Sequence, residues 1–312
     1  MRDISNSVSY YLPESIQEVI GLTKHNEDYS FIAGGTDIMV NKQQGNFKSN
    51  CLIDLSNIPE LLEMEVEGDY YKIGGATKLS GIVDDEYIGN SFPIVKEAAK
   101  SIASPLIRNQ ASIGGNLLVE NRCIFYNQSE LWREAAGYCL KCGGETCLAT
   151  GGGKTCLSKF VSDLAPALIS LNASIVLINN DCERTFPLEE LYTNEGINSK
   201  NIDKDTILKC ILLPLRKNTK SSFKKLRQRK TLEFTSLTIA ATRFDNNDII
   251  IAISGAAPGP IVLKTKKGES FENIYSEINK KSIIINNDFF DRKYRKQMLK
   301  TYLADCLKEI EI

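Results

Sequence analysis

Three times between Tyr29 and Asn116 an apolar strand end runs into a pair of small residues followed closely by a polar side chain. The segments are Phe31-Ile32-Ala33-Gly34-Gly35-Thr36, Lys72-Ile73-Gly74-Gly75-Ala76-Thr77 and Ser112-Ile113-Gly114-Gly115-Asn116. The residues between them do not match, so this is no solenoid repeat. A Gly-Gly pair at a strand end lets backbone N–H groups approach a ligand without side-chain obstruction. Consecutive N–H groups in such a turn form an anion-binding concavity, and Thr36 and Asn116 add side-chain hydrogen-bonding groups. Two such loops facing each other would cradle a pyrophosphate. One Gly-Gly pair alone usually marks a tight turn; several with similar flanks point to a nucleotide cofactor. The common nucleotide motifs fail. No G-x-G-x-x-G follows a strand. Gly153-Lys154-Thr155 resembles the end of a P-loop, but the first glycine of that motif would fall on Leu148.

The second constraint is a run of cysteines. Five of the nine fall within the 34 residues from Cys123 to Cys156. The stretch 121–158 has no clean periodicity and carries Gly137, Gly143, Gly144, Gly151, Gly152, Gly153 and the single Trp132. A long irregular stretch in a compact domain is usually functional or disordered, and the cysteines favour function. Cys123, Cys139, Cys142, Cys147 and Cys156 exceed the four thiolates that a [4Fe–4S] cluster or a structural zinc needs. Zinc usually takes two close ligand pairs; only Cys139-x-x-Cys142 is one here. Iron–sulfur, zinc and free thiols stay open on spacing alone. The sole histidine, His25, lies in a polar turn and reads as solvated, so a Ser-His-Asp hydrolase is disfavoured. The remaining cysteines, Cys51, Cys182, Cys210 and Cys306, read as buried structural thiols.

Around these features the pattern is α+β. Pro13 and Glu14 open a helix with Ile16, Val19 and Ile20 on one face. Strands are expected at Tyr29–Ala33 and Cys51–Leu55, with a short helix at Asp37–Gln43. Met64, Val66, Tyr71 and Ile73 alternate across a Gly68-Asp69 turn as a hairpin. Ile94–Ile102 reads as a helix and Ala111–Val119 as a strand broken by Gly114-Gly115. A helix is expected at Asp163–Leu171, and strands at Ala173–Ile178 and Thr206–Leu213. Further strands follow near Phe223–Arg229, Ser236–Phe244 and Ile249–Ser254, then a closing helix from about Asp288 to Ile310. The 312 residues suffice for two or three lobes. We expect one domain over 1–215, with lobes of about 1–56 and 57–215, and a C-terminal domain over 216–312. The net charge of -1 offers no global field for nucleic acid or anionic lipid. The basic run Lys217–Lys230 is interrupted by Phe223 and Leu226, as in a solvated or ligand-facing strand. Met1-Arg2-Asp3-Ile4 lacks the apolar core of a signal peptide, and no apolar run reaches the roughly 18 residues of a membrane span. The expected location is the cytoplasm, where disulfides are not expected.

With these residues in view the sequence resembles a known family. Ala33-Gly34-Gly35-Thr36-Asp37 resembles the first flavin-diphosphate loop of the FAD subunits of the xanthine dehydrogenase and carbon monoxide dehydrogenase family. Ile107-Arg108-Asn109-Gln110-Ala111-Ser112-Ile113-Gly114-Gly115-Asn116 resembles the second. Ser162-Asp163-Leu164-Ala165-Pro166-Ala167, Phe223-Lys224-Lys225…Arg229 and Gly255-Ala256-Ala257-Pro258-Gly259-Pro260 match further segments. The resemblance implies a two-lobed FAD-binding fold of the vanillyl-alcohol oxidase type. By position, Ser30, Phe31, Ile32, Ala33, Gly34, Gly35, Thr36 and Asp37 would wrap the FAD diphosphate. Ala111, Ser112, Ile113, Gly114, Gly115 and Asn116 would form the opposing loop, with Ile102 nearby. Asp163, Leu208 and Lys225 would meet the flavin or its ribityl chain. Their plain structural roles would be a helix N-cap, a core strand residue and a solvated lysine. Where the family often has Asp four residues after the strand arginine, this chain has Glu233.

Most members pass directly from the second glycine loop to the Ser-Asp-Leu segment. The insertion here, about 40 residues long, is similar to that of 4-hydroxybenzoyl-CoA reductase β subunits, which binds a [4Fe–4S] cluster. The resemblance implies Cys123, Cys139, Cys147 and Cys156 as ligands, with Cys142 spare. It implies partners: a molybdopterin-binding large subunit, a small subunit with two [2Fe–2S] clusters, and a ferredoxin-like or NAD electron carrier. The implied function is electron transfer, with the substrate site on another chain. A flavin subunit of an NAD-linked xanthine or nicotinate dehydrogenase is the alternative within redox enzymes, and a zinc-bound scaffold the alternative outside them.

Overall fold

Ser15, rather than Pro13, starts the first helix, because its Oγ accepts the Glu18 N–H at 3.2 Å and so satisfies one orphan donor. The computed structural model describes residues 8–47, 49–180 and 182–311; the segment Met1–Ile4 lies outside them. From Ser15 helix α1 (Ile16–His25) runs with Ile16, Val19 and Ile20 buried and His25 exposed at its end. It packs on a parallel sheet of β1 (Ser9–Tyr11), β2 (Tyr29–Ile32) and β3 (Cys51–Asp54), ordered β1-β3-β2. The short helix α2 (Ile38–Gln43) carries the chain from β2 toward β3.

The second sheet is antiparallel. Strands β4 (Met64–Glu67), β5 (Tyr70–Gly74), β6 (Ser174–Asn179), β7 (Cys182–Pro187) and β8 (Ile207–Pro214) take the order β4-β5-β8-β6-β7. In the hairpin Val66 faces Tyr71 and Met64 faces Ile73. Tyr71 and Ile73 are buried, whereas Val66 on the edge strand stays exposed. Between β5 and β6 come α3 (Leu79–Asp84), α4 (Glu86–Ser91), α5 (Pro93–Lys100), α6 (Pro105–Arg108), α7 (Ile113–Leu117), α8 (Glu130–Ala135) and α9 (Leu164–Ser170). Helix α7 corrects the expected strand over Ala111–Val119. Ser112 Oγ accepts the Gly115 N–H at 3.0 Å and caps a helical turn. Only Ser112 keeps a strand-like pairing, an isolated bridge with Lys78.

The third sheet, also antiparallel, is β9 (Lys220–Leu226), β10 (Leu237–Arg243), β11 (Asp248–Ser254) and β12 (Ile261–Lys266), ordered β12-β11-β10-β9. Both its faces are covered. Ile239, Ala241, Ile251 and Ile253 pack under α10 (Phe271–Lys281) and α11 (Arg292–Glu309). Ala240 and Ala252 face each other across β10 and β11 and belong to the core that contains Leu164, Leu168 and Ile175. These small residues let α9 lie close against the sheet. Strands β7 and β12 and helices α3, α4, α6, α8 and α10 add to the expected elements.

The cysteine stretch is closed at its base. Arg122 and Lys159 exchange two backbone hydrogen bonds of 2.9 Å. A buried knot anchors this base to the C-terminal part. Lys159 pairs with Asp288, which also accepts from Ser236 Oγ at 2.8 Å. Arg295, 1% exposed, donates to the carbonyls of Ile285 at 3.1 Å and Gly255. Phe160 pairs with Ala257 and Gly255 through backbone bonds of 3.0 and 2.8 Å. Among the described residues no helix is long and apolar enough to cross a membrane.

Candidate functional site

The three glycine loops meet in one seam. A Cβ on Gly34 would stand 1.8 Å from the Gln110 carbonyl oxygen, one on Gly114 2.5 Å from that of Gly75, and one on Gly75 2.1 Å from that of Leu208. Only glycine permits such approaches. Backbone bonds stitch the seam: Gly114 N to Gly75 O at 2.8 Å, Ile113 N to Thr77 O at 2.9 Å and Leu79 N to Ala111 O at 2.9 Å. The loop after β2 is thus pressed against the segment leading into α7, which is sewn to the loop after β5, and that loop in turn lies over β8. Gly35 turns the first loop with φ +66.

That packing leaves donors unused. The N–H groups of Gly34, Gly35, Thr36, Asp37 and Ser112 reach no protein acceptor among the described residues. Four successive unpartnered N–H groups beside a contact made of backbone are what a pyrophosphate cradle requires. The residues present therefore fit an FAD diphosphate. Asn116 contributes less than expected, because its Oδ1 already accepts from Ser162 Oγ at 2.8 Å and Leu164 N at 3.2 Å. Only its amide nitrogen is left for a ligand.

Next to the seam lies a buried ion pair. Lys225 Nζ stands 2.7 Å from Asp163 Oδ2, and each side chain is 3% exposed. The lysine also donates to the carbonyls of Ser101 at 3.0 Å and Glu233 at 3.2 Å. It is not a solvated lysine. Nor does Asp163 cap α9 through its side chain; its second oxygen accepts from Thr238 Oγ1 at 3.1 Å. Burial pushes the Asp163 carboxyl up, against the pull of the Lys225 ammonium and the Thr238 hydroxyl. Arg227 joins Lys225 on the Ser101 carbonyl at 2.8 Å, beside the buried Ile102. Leu208 is buried, with its carbonyl under Gly75. The carboxylate of Glu233 accepts from Gln228 N at 2.7 Å and Arg229 Nε at 2.7 Å, so the longer side chain closes the turn after β9. Sequence reasoning missed Ala103 and Leu232. Both are left-handed, with φ 44 and φ 67, and a hydrogen bond of 3.3 Å joins them. Neither residue type signals that conformation; such strain gathers at functional sites.

Cys123, Cys139, Cys147 and Cys156 line a single narrow crevice of about 10 Å³ with Tyr126 and Leu148. Each is buried. The approach of the 193–199 loop to Cys156 depends on Gly196, whose Cβ would stand 2.7 Å from Cys156 Sγ. Nothing in the sequence near the cysteines pointed to it. Cys142 lies outside the foursome, with its sulfur 3.8 Å from Cys139 Sγ. The hydrogen bond they share pulls the Cys139 thiol down to about 6 and pushes that of Cys142 up. Burial pushes Cys123 up to about 11. Soft thiols in an apolar crevice are the donor set of iron–sulfur clusters and of zinc. Among the described residues, however, no three His, Cys, Asp or Glu side chains are drawn in tightly enough to hold a metal ion. All nine cysteines are free thiols. Of the other four, Cys51, Cys210 and Cys306 are buried, while Cys182 is exposed on the edge strand β7 and is not the buried thiol expected.

The sequence profile of the family described as FAD binding domain in molybdopterin dehydrogenase matches residues 6–216. The nicotine 6-hydroxylase medium subunit of Paenarthrobacter nicotinovorans is 32% identical over 111 residues, 36% of this chain and 39% of that one. The xanthine dehydrogenase FAD-binding subunit of Escherichia coli O157:H7 is 24% identical over 260 residues, 81% of this chain and 75% of that one. Among solved structures, reconstituted CO dehydrogenase from Oligotropha carboxidovorans superposes with a TM-score of 0.77 at 18% identity, covering 97% of each chain. At that identity the likeness shows the α+β fold of the FAD-binding type and nothing finer.

Proposed function

Because this chain belongs to the family of FAD-binding domains in molybdopterin dehydrogenases, we propose that it is the electron-transfer flavoprotein subunit of a molybdenum-containing hydroxylase or reductase. The observation that carries this reading is the seam of three glycine loops, with the N–H groups of Gly34 to Asp37 unpartnered beside it. In this reading Ser30–Asp37 and Ala111–Asn116 hold the diphosphate of FAD. Ile102, Asp163, Leu208 and Lys225 line the rest of the cofactor. Bound FAD supplies one- or two-electron chemistry, and a [4Fe–4S] cluster on Cys123, Cys139, Cys147 and Cys156 supplies one-electron steps. Four buried thiols on one crevice support the cluster. The thiols would draw inward on binding it, and Phe125 and Tyr126 would shield it from water.

The chain then works beside a molybdopterin-binding large subunit and a small two-[2Fe–2S] subunit in the cytoplasm. In this reading a division near residue 215 marks off a C-terminal domain, which still contributes Lys225 to the cofactor site. A role in 4-hydroxybenzoyl-CoA reduction rests on the likeness of the cysteine insertion alone. The similarity to a xanthine dehydrogenase subunit over 81% of this chain favours a second reading, in which NADH exchanges electrons with the flavin. Stopped-flow mixing of the reconstituted chain with reduced ferredoxin or with NADH separates the two. The first reading predicts flavin bleaching by ferredoxin at least about tenfold faster than by NADH, a gap of roughly 1.4 kcal/mol in barrier. The reverse order supports the second, and no bleaching by either contradicts both.

A further inference from the structure

Two arginines of the cysteine insertion hold the two ends of α2, the helix that follows the first glycine loop. At its start the Arg122 guanidinium donates to Asp37 Oδ1 and lies over the Phe234 ring, 4.4 Å from its centroid. At its end Arg133 donates to the Gln44 carbonyl at 2.6 Å and to the Asn46 side chain. Arg133 is fixed from its own side by the Gln128 carbonyl at 3.2 Å and by Glu130. Both arginines are buried, at 7% and 2% exposure. Gly45 comes so near that a Cβ there would stand 3.1 Å from Glu130 Oε2.

These contacts set where the flavin loop sits. Helix α2 has six residues, too few to hold its own shape. Asp37, which Arg122 grips, is the last of the four successive residues with unpartnered N–H groups. The Nε of each arginine has no acceptor, and losing the Asp37 contact would take from the buried Arg122 its one carboxylate partner among the described residues. Along the chain Arg122 precedes Cys123, and Arg133 lies between Cys123 and Cys139. Whatever orders the thiols therefore also orders both grips.

We propose that Arg122 and Arg133 are positioning residues through which the cysteine insertion sets the affinity of the flavin loop, so that metal at the thiols and flavin at the glycine seam favour each other's binding. The inference rests on the two cofactor sites of the proposed function. Such coupling is reciprocal and typically amounts to about 5- to 150-fold in affinity.

The test is an FAD titration of the flavin-free chain, followed by quenching of flavin fluorescence. It is run before and after the thiols are loaded with iron and sulfide under anaerobic conditions. Loading should tighten FAD at least about fivefold in the natural chain. The ratio should fall to near one in Arg133→Gln and in Arg122→Gln, and recover in part in Arg133→Lys. Circular dichroism identifies any variant that fails to fold, and the remaining variants then decide. If the chain takes up no iron, the cluster reading fails, and zinc on the same thiols serves as the ordering ligand for this test. An affinity for FAD that loading leaves unchanged, or a ratio that persists in the glutamine variants, overturns the proposal.

Discussion

Gly34→Ala is expected to weaken FAD binding by about 100-fold while leaving most of the fold in place. The added Cβ would lie 1.8 Å from the Gln110 carbonyl oxygen, and that carbonyl has nowhere to go. The next residue, Ala111, donates to Ile107 O at 2.8 Å and accepts from Leu79 N at 2.9 Å, so the opposing segment is pinned from both sides. Overpacking of a tight contact typically costs about 1–3 kcal/mol. Here the strain falls on the seam itself and opens it, and roughly 2.8 kcal/mol is 100-fold in dissociation constant. Gly21→Ala is the control. Its Cβ would meet nothing within 4 Å, and within α1 the exchange gains helix propensity of up to about 1 kcal/mol. FAD titration of both variants checks this. A Gly34→Ala chain that binds FAD within about threefold of the natural one would remove the seam from the site.

Asp163→Ala is expected to lower stability by about 3–5 kcal/mol, the usual effect of stripping one partner from a buried ion pair. Lys225 would keep two carbonyls, those of Ser101 and Glu233, but would lose its only carboxylate partner among the described residues. The effect belongs to the unpaired charge and not to the pair as such. Replacing both members, in Asp163→Leu with Lys225→Met, should therefore recover most of the loss. Urea unfolding measures both. If Asp163→Ala unfolds within about 1 kcal/mol of the natural chain, the pair is not buried as described.

The glycine loops were legible in sequence because they answer to a backbone requirement. Residues without a Cβ at the ends of apolar runs imply close approach, and Gly34 and Gly114 make it with neighbouring loops while Gly75 makes it with β8. The same logic misled at Ala111–Val119. The pair Gly114-Gly115 reads there as a break in a strand, yet Ser112 supplies a cap and the turn closes as helix. Charges were read poorly for a consistent reason. Lys225 passes for a solvated lysine in a linear chain, and nothing there singles out Arg122 or Arg133, because their partners lie far off in sequence: Lys225 meets Asp163 and Ser101, Arg122 meets Asp37, and Arg133 meets Gln44 and Asn46. No local pattern encodes a contact of that span. For the cysteines, clustering along the chain announced clustering in space, and four of them share one crevice. Their approach to metal-binding distance is a different quantity, which spacing does not contain.

The most direct measurement is the cofactor content of the chain isolated without oxygen, read by flavin absorbance, metal analysis and electron paramagnetic resonance of the reduced protein. Flavin clasped by the glycine seam and thiols closed on iron predict one FAD and about four iron atoms per chain, with a cluster signal lost in Cys147→Ser. A colourless chain, or one carrying zinc and no flavin, would contradict it.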